Sequence, residues 1–375
     1  MFQSVTKAQL SPTSSPYYAN GSYSIVSDST TVSSKKVVIY RPSVPPTGDK
    51  YPVFIFQPGA NGFFSSAITV HSYDLYMKHL ATYGYVVLVI DETSAGLPNG
   101  TTFIAVHDWF NTNIVNASHW LYTYADSSKV VIGGHSNGGV NASGCLVDSP
   151  NQIKGIVYFA SYPSNNFMVP QDVSGYTGKV LDLSGASDAT STPASCRTGY
   201  DAFTSANCAY WVSITGMDHG GFGDYVNTSQ PVGSIGRTNA TATVRHYLVS
   251  FMESQFKNNT IAMANFQTSL FQPNTTATFE NSCVATDINE AESSVEVKVF
   301  PNPATNNATI TNTEEISESD IMIFDITGRI VTDRVKIETL GFNEYKLDLT
   351  NIDNGYYFIS FAGSKISPVR FAVTR

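Results

Sequence analysis

The sequence predicts an α/β fold: a mostly parallel, doubly wound sheet with helices on both faces, followed by a small all-β sandwich. Three observations predict it. Between residues 35 and 260, short apolar β-branched runs alternate with segments of helical period, the pattern of strand–helix–strand crossovers. The run at 130–133 ends in G-H-S-N-G (134–138) and passes straight into a helical pattern, as at a sharp strand-to-helix turn that carries a serine. From 295 onward only short strands broken by turns remain.

Composition narrows the class. With 375 residues the chain has room for two domains. Charged residues make up 14%, well under the roughly 25% of an average chain, while Asn, Ser, Thr, Gly and Tyr are abundant. That balance suits a soluble extracellular protein. A net charge of −9 without a basic block excludes nucleic acid as a partner. No run approaches the roughly 18 apolar residues of a transmembrane helix, and residues 1–19 carry no apolar signal-peptide core. The seven histidines and four cysteines show no ligand spacing, so neither a metal nor a cofactor is expected. The chain is expected to act as a monomer.

Residues 1–34 read as an extended lead-in with an edge strand. Strands follow at 36–40 and 52–57, a helix at 66–83 with Tyr73, Tyr76, Met77, Leu80 and Tyr83 on one face, and a strand at 85–90 buried on both sides. A long helical region spans 102–124. The strand at 129–133 leads to the serine turn and a helix at 137–147. Strands at 156–160, 180–183 and 210–214 and a helix at 241–256 complete the expected domain, 1–285. An acidic, aperiodic stretch at 286–296 reads as a linker. In 297–375, strands read at 297–300, 308–311, 321–324, 346–349, 356–361 and 369–373, and a sandwich of about seven strands is expected.

The chemistry follows from Ser136. A serine hydroxyl needs a base to take its proton, and the base needs an acid to hold its tautomer. On a strand–turn–helix site of this kind the partners come in the order Ser, acid, His. Only His219 and His246 follow Ser136. His246 falls inside the last helix, whereas His219 lies in a loop after the strand at 210–214, so His219 is the candidate base. No glutamate separates Ser136 from His219. Among the aspartates, Asp188 stands just past the strand at 180–183 and is the candidate acid, with Asp201 or Asp182 as fallback. The oxyanion donors are expected to be the N–H groups of Asn137 and of Ala60, with Asn61 second in the loop after Gln57. Asn61, Phe63 and Tyr162 are the candidate substrate contacts. Too few residues lie between 163 and 179 for an inserted cap, so the cleft should be open and suited to bulky or polymeric esters. Cys196 and Cys208 bracket a polar stretch and are the expected disulfide, the rivals being two separate buried thiols or a pairing of either with Cys283. Cys145 is expected as a buried free thiol.

The motifs P-G-A-N-G-F-F-S-S (58–66), Y-G-Y-V-V-L-V-I-D (83–91), G-H-S-N-G-G (134–139), S-G-A-S-D (184–188) and T-G-M-D-H (215–219) resemble the α/β-hydrolase esterases grouped with cutinases, polyester (PET) hydrolases and dienelactone hydrolases. The resemblance covers about 35–260. It implies an α/β-hydrolase fold without a cap domain and metal-free ester hydrolysis, with Ser136 as nucleophile, Asp188 as acid, His219 as base, and oxyanion amides at Ala60 and Asn137. The polyester hydrolases usually carry an aromatic where Ala60 stands, a methionine at Asn137 and a tryptophan near Tyr162. Independently, V-F-P-N-P (299–303), I-M-I-F-D-I-T-G-R-I-V (321–331) and L-D-L-T-N-I-D-N-G-Y-Y-F-I-S-F (347–361) resemble the type IX secretion sorting domain, over about 297–375. That resemblance implies handling by outer-membrane secretion machinery and release or surface attachment outside the cell. The other readings are a catalytically silent surface-binding protein on the same fold, and an amidase or peptidase with the same triad.

Overall fold

The computed structural model describes residues 11–61, 68–94, 100–164, 171–225, 230–267, 277–283, 297–311, 317–326, 329–341, 343–361 and 368–375. The chain divides into two compact units, Met1–Val284 and Ala285–Arg375. The expected linker, 286–296, lies outside the described residues.

The first unit is built on one nine-stranded sheet. Its strands are β1 (Ile25–Val32), β2 (Lys35–Pro42), β3 (Tyr51–Gln57), β4 (Val86–Ile90), β5 (Ala125–His135), β6 (Gly155–Phe159), β7 (Lys179–Gly185), β8 (Cys208–Ile214) and β9 (Ala277–Asn281). They lie in the order β1-β2-β4-β3-β5-β6-β7-β8-β9. The strands from β4 across to β8 run parallel, while β1, β2 and β9 join antiparallel at the two edges. The helices are α1 (Asp74–Thr82), α2 (Thr101–Ile114), α3 (Trp120–Tyr124), α4 (Asn137–Asp148), α5 (Pro193–Asp201), α6 (Arg237–Phe256) and α7 (Thr260–Gln267).

Burial on both faces explains the continuous apolar runs. In β3, Phe54 and Phe56 pack into a core shared with Met77 and Leu80 of α1 and Val244 and Phe251 of α6. Val53 and Ile55, pointing the other way, join Phe103 and Phe110 of α2 and Leu146 of α4. The helical region expected at 102–124 is two helices. It breaks at the exposed polar stretch 116–118, and the His119 side chain then accepts from the Leu121 N–H to start α3.

The polar stretch after Asp188 is not an open loop. It contains α5, opened by the Thr192 side chain accepting from the Ser195 N–H and by Pro193 in the first turn. This corrects the expected Cys196–Cys208 disulfide. Cys196 is a buried free thiol on α5, its Sγ directed at the Ser191 carbonyl, and Cys208 is bonded to Cys283 instead. The antiparallel register explains the pairing. Tyr210 faces Asn281 across β8 and β9, so two residues further out Cys208 faces Cys283. Cys145 is buried and free.

Among the described residues the second unit has seven strands: β10 (Lys298–Phe300), β11 (Asn307–Thr311), β12 (Ile321–Asp325), β13 (Lys336–Gly341), β14 (Glu344–Asp348), β15 (Gly355–Phe361) and β16 (Val369–Val373). They form antiparallel sheets in the orders β10-β11-β14-β13 and β12-β15-β16. Alternate residues such as Ile310, Leu347, Ile323, Ile359 and Phe371 bury one common core.

Candidate active site

Ser136 stands between β5 and α4 at φ 50°, ψ −123°. A positive φ is costly for a residue with a side chain and persists only where neighbours enforce it. The enforcement is steric. A Cβ on Gly134 would come within 2.3 Å of the Gly138 backbone, and one on Gly138 within 2.2 Å of the Gln57 carbonyl oxygen. Only glycine two residues to either side lets β5, α4 and the end of β3 approach so closely. Two hydrogen bonds pin the turn: the Ser136 N–H donates to Phe159 O at 3.0 Å, and Ser161 Oγ donates to Ser136 O at 2.6 Å. Ser136 and Asn137 are half-buried within an otherwise buried stretch, so the turn lifts the hydroxyl out of the sheet.

His219 and Asp188 meet as buried partners, His219 Nδ1 lying 2.7 Å from Asp188 Oδ2. The other oxygen, Asp188 Oδ1, accepts the N–H groups of Thr190 at 2.7 Å and Ser191 at 2.9 Å. The carboxylate is thus fixed as an acceptor, and the His219 proton sits on Nδ1, leaving Nε2 with a lone pair. The His219 ring lies 4.5 Å from that of His135, the residue preceding the serine. The loop that carries His219 is held from both ends. Asp218 Oδ1 accepts the His219 N–H at 2.7 Å, which starts a short 3-10 turn. The Arg237 guanidinium, at the start of α6, donates to the carbonyls of Gly220, Gly223 and Tyr225.

The fallback acids stand elsewhere. Asp182 is buried in β7, with neither carboxylate oxygen hydrogen-bonded among the described residues, and burial pushes its pKa well above the carboxylate range. Asp201 is ion-paired to Arg197 on α5. His246 is buried in α6 with Nδ1 2.8 Å from Ser15 Oγ.

In the loop after β3, the Asn61 N–H is taken by Thr93 O at 2.7 Å, so Asn61 has no free amide for an oxyanion. Its side chain bridges to both the N–H and the carbonyl of Ile68, closing the loop on itself rather than facing substrate. The N–H groups of Ala60 and Asn137 make no hydrogen bond among the described residues. Asn137 opens α4, where the helix dipole also favours negative charge. Phe63 lies outside the described residues. Tyr162 is half-buried on the loop after β6, its hydroxyl hydrogen-bonded to Ser195 of α5. No group of three or more His, Cys, Asp or Glu side chains that could hold a metal occurs among the described residues.

Sequence reasoning missed Tyr73, His135, Arg237 and Ser161, which brace the site from behind. His135 lay inside the serine motif itself. The other three carry no local signal, because their roles come from elements distant in the chain.

Residues 54–234 match the model of the Alpha/beta hydrolase family, and residues 298–373 match that of the Secretion system C-terminal sorting domain. None of the curated proteins compared with the chain matches it. The first unit has the α/β-hydrolase fold. The second is a type IX C-terminal sorting domain, which marks the chain for secretion. Among the described residues no helix is long and apolar enough to cross a membrane.

Proposed function

With an α/β-hydrolase domain followed by a secretion sorting domain as the premise, we propose that this chain is a secreted serine esterase acting on carboxylic esters, bulky or polymeric ones included. The observation that carries the reading is the buried Asp188–His219 hydrogen bond, at 2.7 Å, beside a serine held at positive φ. Ser136 Oγ attacks the ester carbonyl carbon while His219 Nε2 takes its proton. The negative charge that develops on the carbonyl oxygen is stabilised by the N–H groups of Ala60 and Asn137. The tetrahedral species collapses, His219 protonates the departing alkoxide, and the alcohol leaves. Water, deprotonated by His219, then attacks the acyl-enzyme; the acid departs and Ser136 regains its proton. All of this chemistry is assigned to residues 1–285, with 286–296 as a linker and 297–375 as the sorting domain, the protein working as a monomer. Tyr162 is proposed to line the cleft on the acid side. Ala60, Asn137 and Tyr162 differ from the aromatic clamp of polyester hydrolases, so soluble bulky esters should be better substrates than crystalline polyester.

A fluorophosphonate probe together with p-nitrophenyl esters of increasing chain length and one solid polyester film tests the reading. The expected result is a single label on Ser136 and ester turnover that Ser136→Ala lowers by a factor on the order of 10⁴ to 10⁶. An unlabelled protein without turnover points to a silent binding role, and turnover of anilides in preference to esters points to an amidase.

A further inference from the structure

Behind the oxyanion loop, the hydrogen bonds converge on two buried side chains that the chemistry above leaves unused. The Gly59 N–H donates to Tyr73 Oη at 3.1 Å, and Tyr73 Oη lies 2.7 Å from His135 Nδ1. Both side chains are buried. Burial holds the Tyr73 hydroxyl well above its ordinary pKa, so it keeps its proton. Of the two groups bonded to the Tyr73 hydroxyl, Gly59 N–H only donates and His135 Nδ1 can accept, so a Tyr73 proton that is kept goes to Nδ1 and His135 then carries its own on Nε2. Burial, and then the charge of neighbouring His219, holds His135 well below the usual histidine range, while the backbone of His219 pulls the other way. His135 is therefore a neutral ring of one tautomer, 4.5 Å from the ring of His219. The fit is close on the loop side as well. A Cβ on Gly59 would lie 2.8 Å from His135 Nδ1 and 3.3 Å from Tyr73 Oη, so the loop backbone rests directly on this pair.

We propose that Tyr73 and His135 are positioning residues: their hydrogen-bonded pair fixes the 58–60 loop, and with it the Ala60 amide, in register with the base His219. This rests on the esterase reading above. The pair joins the two halves of the site, which arrive from opposite ends of the domain sequence. One end of the relay is the loop after β3, and the other is the ring packed on His219. Phenylalanine at 73 would fill the same volume, so packing alone does not require the hydroxyl. Without the hydroxyl, the buried Gly59 N–H loses its acceptor and the loop must shift to find another. Such a shift acts where charge develops on the carbonyl oxygen and not where the ground-state ester binds. It therefore lowers kcat and spares KM.

The test is Tyr73→Phe in the full-length protein, assayed on a soluble p-nitrophenyl ester and with a trifluoromethyl ketone, whose adduct on Ser136 places an oxyanion in the same site. We expect kcat to fall about 10- to 100-fold, the scale set by displacing an oxyanion donor by about 1 Å. The ketone's Ki should rise by a matching factor, and KM should stay within about twofold. His135→Asn, whose carboxamide oxygen stands where Nδ1 does and can still accept from Tyr73, should keep more activity than His135→Phe, which offers no acceptor. A Tyr73→Phe enzyme with unchanged kcat, a loss that falls on KM alone, or equal activity in the two His135 variants overturns the proposal. If Tyr73→Phe does not fold, the His135 pair decides by itself. Wild-type labelling at Ser136 and ester turnover are measured first. Their absence refutes the esterase reading, whereas their presence with a silent Tyr73→Phe refutes only the positioning role.

Discussion

At the scale of single residues, the site depends on where one proton resides. Asp188 spends one oxygen on two backbone N–H groups and the other on His219 Nδ1, so the imidazole has only one tautomer open to it. Asp188→Asn would offer His219 an amide hydrogen where it needs an acceptor, turn the tautomer over, and place a proton on the nitrogen meant to receive one. The expected cost is about 10⁴ in kcat with KM little changed, read by steady-state kinetics on a soluble ester. Full activity in the variant removes the pair from the mechanism. These residues were legible because chain order and strand ends restrict the choice. Of the two histidines after Ser136, His246 is locked in α6 against Ser15 while His219 meets Asp188. Tyr73 was legible only as one member of an apolar helix face. Its hydroxyl acquires a role from Gly59 and His135, which lie 14 and 62 residues away.

At the scale of elements, the candidate site is a contact between the start of α4 and the end of β3. Gly138→Ala would drive a methyl group to 2.2 Å from the Gln57 carbonyl and 2.4 Å from that of Pro58. Neither backbone oxygen can retreat without moving the Ala60 amide. The expected outcome is a loss of about 1–3 kcal/mol in stability from overpacking, seen in urea midpoints, together with a fall in kcat on the order of 10² from the displaced donor. Normal turnover in that variant would show that the loop yields freely. Strands buried on both faces were legible because their apolar runs leave no alternative. Four elements were not: α5, α7, β9 and β13. The α5 segment holds mostly small and polar residues around Cys196 and Tyr200, so no apolar stripe advertises it, although Thr192 before Pro193 is a helix-start signal. The edge strand β9 is five residues long and pairs on one side only. Without β9 in view, Cys283 had no assigned place, and Cys196 was the nearest alternative for Cys208.

At the scale of the whole first unit, buried neutral histidines make stability depend on pH. His246 is pushed down to about 4 by burial, and His79 to about 4 by burial and then by the charge of Arg245. In the unfolded chain both take protons near pH 6.5. The unfolded state therefore gains protons first as the solution is acidified. Stability is fully present above about pH 6.5 and is lost as pH falls toward 4, by an amount on the order of 2–3 kcal/mol per histidine. Urea unfolding at pH 7.5, 5.5 and 4.5 should show this slope, and His246→Gln should flatten it. A midpoint independent of pH in the wild type would mean that these rings are not held neutral by the fold.

The bond between Cys208 and Cys283 also determines how the catalytic unit bears a mechanical load. Cys283 stands two residues past the end of β9, one residue before the unit ends at Val284. A pull on the tail along the chain reaches the sheet at the end of β9, where an edge strand is weakest. A strand drawn from its end opens like a zipper, one hydrogen bond at a time. Here the first link of the zipper is covalent. The load passes across to the head of β8, which is laddered to β7 by seven residue pairs and would have to be sheared rather than unpeeled. A protein gripped or tethered by its sorting domain thus keeps the edge of its nine-stranded sheet closed while under tension.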